Sequence, residues 1–182
     1  GKDITNSYSS PSVAENNPTT ILVKVSHVAA RLDFSQFDVT LKGFEGNPTV
    51  VFDEAKFVNL QQNGKIVEGD ASVNVKDGAF LNRSNRIGTR WTDLGTAYGY
   101  ARQDSEMNTA LYVKFTVDGR TFEKTYPINP AGITKEVDHN GIKGGYLYDI
   151  KVRWTITPDW GDSTIEFYTR DWVHNSIPEI VL

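Results

Sequence analysis

From residue 145 to 157 the chain reads GYLYDIKVRWTIT, with a large apolar side chain at every second position. Tyr146, Tyr148, Ile150, Val152, Trp154 and Ile156 share one face. Leu147, Asp149, Lys151, Arg153, Thr155 and Thr157 share the other. Side chains of a strand alternate between faces, so the segment predicts a half-buried antiparallel strand. The same period of two runs through ALYVKFTVDGRTFEKTYPI, residues 110–128. Asp118 and Gly119 supply the positive φ angles of a two-residue primed turn, which predicts a hairpin. That turn sets the register, with Lys114 facing Glu123, Phe115 facing Phe122 and Leu111 facing Tyr126.

Further strands are expected at ILVKVSHVAARLDF (21–34), FDVTLKGF (37–44) and TIEFYTRDW (164–172). In the first the apolar phase slips between Val25 and Val28, and a bulge near Ser26 and His27 accounts for it. Weaker alternation marks 49–60, 65–75 and 93–103. Only DEAKFVNLQQ, within 53–62, tolerates a helical reading. Seven to eight strands divided by Gly, Asn, Asp and Pro predict an all-β antiparallel sandwich of Greek-key, transthyretin-like type. The expected division is a polar tether over 1–20, a sandwich over 21–172 and a C-terminal tail over 173–182. The first segment is too poor in apolar residues to offset its ordering entropy.

Composition narrows the function. A chain of 182 residues can bury a core without staples. It has no cysteine, which removes disulfides, thiolate metal sites and cysteine nucleophiles. A net charge of −4, with no dense Lys/Arg cluster, argues against nucleic acid as a partner. No apolar run of 18 residues crosses a membrane as a helix. His27, His139 and His174 lie far apart and fit no metal-ligand spacing. No G-x-S-x-G marks a nucleophile elbow. GIKGGY (141–146) lacks the strand-before, helix-after setting of a phosphate loop and reads as a loop feeding a strand. DWGDS (159–163) reads as a turn, with too few oxygen ligands for calcium. Asn82-Arg83-Ser84 fits the N-glycosylation pattern, a weak three-residue match. No enzyme, metal or cofactor is expected, although a hydrolase on an all-β scaffold is a competing class. RWTDLGTAYGYAR (90–102) sets Trp91, Tyr98 and Tyr100 among small residues. Exposed, these rings could stack on sugars; buried, they fill the core.

Three stretches taken in order, VKVSHVAARLDF, GGYLYDIKVRWTIT and TIEFYTRDW with its tail, resemble the fimbrillins, subunits of Bacteroidales fimbriae. The resemblance spans 21–182 and matches the C-terminal of the two sandwich domains usual in that family. It implies either a fragment lacking an N-terminal domain or a compact relative. In the compact case 1–20 would tether the domain below an upstream lipid, and that lipid would be the membrane attachment. It also implies export to the outer membrane and cell surface, other fimbrial subunits as partners, and a host or glycan receptor. Fimbrillins polymerise by strand exchange, which would make the tail a donor strand carrying Val173, Ile177, Ile180, Val181 and Leu182. Two features count against a simple donor. Pro178 cannot donate to a ladder, and the apolar residues lie on both parities. An edge strand packed on its own sandwich is the alternative for the tail. A carbohydrate-binding surface lipoprotein is the alternative for the whole chain.

Overall fold

The computed structural model describes residues 28–64, 73–82, 86–101, 108–129, 141–159 and 162–171. The tether over 1–20, the bulge at Ser26 and His27, all three histidines and the tail over 173–182 lie outside them. Among the described residues there is no helix. Seven long strands carry the fold: β1 (Ala29–Leu41), β2 (Val50–Val58), β7 (Arg90–Tyr100), β8 (Ala110–Val117), β9 (Arg120–Pro127), β10 (Tyr146–Ile156) and β11 (Asp162–Asp171). Four pieces of two or three residues lie between them: β3 (Leu60–Gln61), β4 (Val75–Lys76), β5 (Phe80–Asn82) and β6 (Arg86–Ile87). The segment that tolerated a helix is strand through Val58.

Two sheets face each other. One has the order β11-β10-β1-β7; the other runs β5-β2-β8-β9, with β6 also on β2. The expected antiparallel sandwich forms with one departure, because β1 and β10 run parallel. They can do so because the chain between them crosses to the second sheet and back twice, by way of β7, a connection long enough for a parallel pair. Arg31 lies beside Leu147, and Tyr146 beside Asp171, so β1 begins and β11 ends at the same pole.

The hairpin has the register set by its turn. Lys114 pairs with Glu123, Phe115 with Phe122 and Leu111 with Tyr126. Asp118 and Gly119 have φ of 45° and 82°, the positive values a primed turn requires.

No turn separates the described parts of the two expected strands; residues 29–41 form one strand, β1. Leu32 and Phe34 are buried, then Phe37 and Val39, so the buried parity flips. Ser35 is the extra residue, and pairing to β10 resumes at Gln36. β2 repeats the device. Val50 and Phe52 are buried, then Ala55 and Phe57, with the register shift between Phe52 and Glu54. A bulge lets a strand change phase without leaving the sheet.

The core is aromatic at its centre. Phe37 stacks on Trp91 at 5.3 Å and meets Phe52 and Phe115 of the opposite sheet at 5.3 and 5.2 Å. Trp154 meets Phe115 edge-on at 5.0 Å. The predicted inner face of β10 is the one that packs here, from Tyr148 to Ile156. Leu147, assigned by parity to the outer face, is nonetheless 7% exposed, flanked by β1 and β11.

Two tyrosine hydroxyls are perturbed. Burial pushes Tyr148 up, while its oxygen accepts a 2.8 Å bond from the Lys143 N–H and pins the 141–146 loop. Burial also pushes Tyr112 up to about 12, aided by the 2.8 Å bond it donates to Glu123. An unfolded tyrosine ionises near pH 10. The folded value is the higher one, so this contribution is whole below about pH 10 and lost as pH rises through about 12. Thermal melts across that window should show the melting temperature falling, with a shallower fall in Tyr112→Phe.

Candidate functional site on the outer face of the four-stranded sheet

The outer face of β1 carries Arg31, Asp33, Gln36 and Asp38, with Ser35 at the bulge. Arg31 Nε donates to Asp33 Oδ1 at 2.9 Å, and Thr96 Oγ1 of β7 donates to the same oxygen at 2.7 Å. The Asp33 hydrogen bond and charge hold the Arg31 guanidinium still more firmly protonated. Further along, Asp38 lies 3.6 Å from Arg90 and 3.9 Å from Arg153. These are rim pairs in contact with water, each contributing about 0–1 kcal/mol.

β7 is irregular opposite Ser35. Phe34 pairs with Gly95 and Gln36 with Thr92, which leaves Asp93 and Leu94 outside the ladder. Asp93 has φ of 53° and Gly95 of 143°. Leu94 turns inward and is 2% exposed, while Asp93 stays exposed. Two bulges thus face each other across neighbouring strands and part the surface above them. A groove of about 320 Å³ opens there, lined by Arg31, Asp33, Ser35, Asp93, Thr96 and Asp149 and floored in part by Leu147. Asp149 Oδ1 is buried and has no hydrogen-bond partner among the described residues. Its other oxygen has the Lys151 ammonium at 4.0 Å. Among the described residues no three carboxylates or histidines converge closely enough to cage a metal ion.

The three candidate aromatics separate. Trp91 is a core residue, 4% exposed, its ring between Phe37 at 5.3 Å and Phe52 at 5.5 Å; it cannot meet a ligand. The reason is parity, since Tyr98 and Tyr100 lie seven and nine positions beyond the inward-facing Trp91 and so on the opposite face. Tyr100 is half-buried against Gly64, where its ring leaves no room for a Cβ. Tyr98 is 56% exposed and is the backbone partner of Arg31, a residue that lines the groove. The polar lining was not singled out from sequence. Its signal was available in the parity flip between Phe34 and Phe37 and in the glycine of TDLGT.

No family model and no curated protein matches the chain. Solved structures do. One is a protein assigned to cell adhesion from Parabacteroides distasonis, with a TM-score of 0.66 and 20% identity. The match covers 81% of this chain and 52% of that one. A protein assigned to cell adhesion from Bacteroides eggerthii matches at a TM-score of 0.47 and 15% identity, over 81% of this chain and 56% of its own. The tip fimbrial protein Mfa3 from Porphyromonas gingivalis, with a C-terminal truncation, matches at 0.44 and 12%, over 81% and 52%. The chain therefore spans about half the length of the structures it resembles. The fold is thus shared with a cell-adhesion protein of the Bacteroidales, in line with the fimbrillin resemblance in the sequence.

Proposed function

We propose that this chain, built on the fold of a Bacteroidales adhesion protein, is a non-enzymatic structural or adhesive subunit of a cell-surface fimbria. Its partners are other fimbrial subunits. The observation that carries the reading is the fold shared with the Parabacteroides protein over 81% of the chain. The sandwich suits the task, because two sheets locked by an aromatic core resist proteolysis and load.

In this reading the tail over 173–182 joins neighbours by strand addition, with Val173, Ile177, Ile180, Val181 and Leu182 as the side chains that would fill pockets. A head-to-tail contact of that kind does not close on itself and so builds a filament. The position of β11 supports it. β11 is at the end of its sheet, so a segment that follows it can leave without separating an inner pair of strands.

Removal of residues 173–182 tests the proposal in cells of the source organism. The expected result is a folded protein at the cell surface with no incorporation into fibres under the electron microscope. An unfolded product would make the tail part of the core, and fibres unchanged in number would rule out donation.

A further inference from the structure

Beyond its part in a fimbria, we infer that the groove over the paired β1 and β7 bulges binds a neutral, hydroxyl-rich ligand, a glycan, with Tyr98 as its stacking face. The argument starts from the lining. It mixes three carboxylates, Asp33, Asp93 and Asp149, with one guanidinium, Arg31, and two hydroxyls, Ser35 and Thr96. An anion would meet the three carboxylates. A metal ion would meet the guanidinium, and among the described residues no side chains converge to cage it. A sugar hydroxyl both donates and accepts, so a mixed lining suits it. Asp149 Oδ1 is a buried acceptor with no partner among the described residues, and a ligand hydroxyl would satisfy it. Arg31 is engaged at Nε, and a guanidinium has further N–H donors for a hydroxyl or ring oxygen.

Geometry agrees. A groove of about 320 Å³ is at the lower end of the size range of small-ligand sites. The bond network of Arg31, Asp33 and Thr96 fixes one wall before any ligand arrives, which lowers the ordering cost of binding. Tyr98 stands beside Arg31, 56% exposed, and offers a ring face to the C–H side of a pyranose. The strained bulge positions at Asp93 and Gly95 are what part the strands here, and backbone held in such conformations is found disproportionately at binding sites.

The test is a printed array of neutral, sialylated and sulfated oligosaccharides probed with the full 182-residue chain. Retention by at least one neutral structure is expected, unaffected by a chelator. Tyr98→Ala and Asp149→Asn should each lower that retention about tenfold, the scale of one good polar or stacking contact, with melting temperature unchanged. Thr121→Ala, on the other sheet, should bind as the parent does. Retention of no neutral glycan, retention of charged glycans alone, loss in the chelator, or full retention by both groove variants would each overturn the inference. Fibre assembly is a separate readout, so failure here leaves the structural role standing.

Discussion

Phe37→Ala should destabilise the domain by about 3–5 kcal/mol, the range for removing a buried aromatic. The side chain is fully buried and touches both sheets, with Trp91 on one side and Phe52 and Phe115 on the other. These neighbours come from three other strands, β7, β2 and β8, so the gap cannot close by a shift of one element. Phe122 makes the useful comparison. It stacks on Phe115 at 5.2 Å but is only partly buried, and its truncation should cost clearly less. Urea titrations of the two variants give the ranking, and equal losses would contradict a core centred on Phe37. Natural domains hold only about 5–15 kcal/mol in total, so Phe37→Ala alone could leave the protein largely unfolded at body temperature.

Gly95→Val should cost roughly 2–5 kcal/mol, because it breaks two conditions at once. The backbone there has φ of 143°, which side chains with a Cβ rarely adopt. A Cβ would also lie 3.0 Å from Leu81 Cβ on β5, so Leu81 would have to give way by a few tenths of an ångström, and the valine methyls add to the crowding. Gly119→Val isolates the first effect. It also sits at positive φ, 82°, yet nothing lies within 4 Å of its Cβ position. The hairpin variant should therefore lose only the backbone share, and the difference between the two melts measures how tightly β5 and β7 pack. If Gly119→Val were the more damaging, the close approach at Leu81 would not be a constraint. Gly95→Val should also reshape the groove, whereas Gly119→Val should not.

The sandwich was legible in the sequence wherever burial alternates without interruption. The hairpin of β8 and β9 could be written down to the pair, because Asp118-Gly119 dictates the turn and the turn dictates the register. β10 was equally clear on its inner face. The reading weakened where parity flips. Between Phe34 and Phe37 two alternating runs of opposite phase meet, and such a junction reads as a turn or as a bulge. DFSQFD contains no Gly, Pro or Asn, which favours the bulge that the structure has at Ser35. The parallel contact of β1 with β10 was out of reach, since periodicity is silent about direction. The short β5 and β6 were missed because two or three residues carry no period. At the candidate site, a list of aromatics found Tyr98 but could not separate it from Trp91. Seven positions apart, the two fall on opposite faces by simple alternation, but which face is the core is decided by the pairing to β1, where Trp91 lies beside the buried Phe37 and Tyr98 beside Arg31.

The shared pole of β1 and β11 bears on how the molecule carries tension. Arg31 is level with Leu147, and Asp171 with Tyr146, so entry and exit lie side by side, two strand spacings or roughly 10 Å apart. A pull between those two points passes through the ladders joining β1, β10 and β11 near that pole. It does not stretch the sandwich from end to end. The far pole, with the Asp118 and Gly119 turn and the 42–49 loop tied to it by the Thr49 N–H, stays outside the line of force. If neighbours are joined through the segments that flank β1 and β11, as proposed above, each body would hang beside the string, with its far pole out of the line of load.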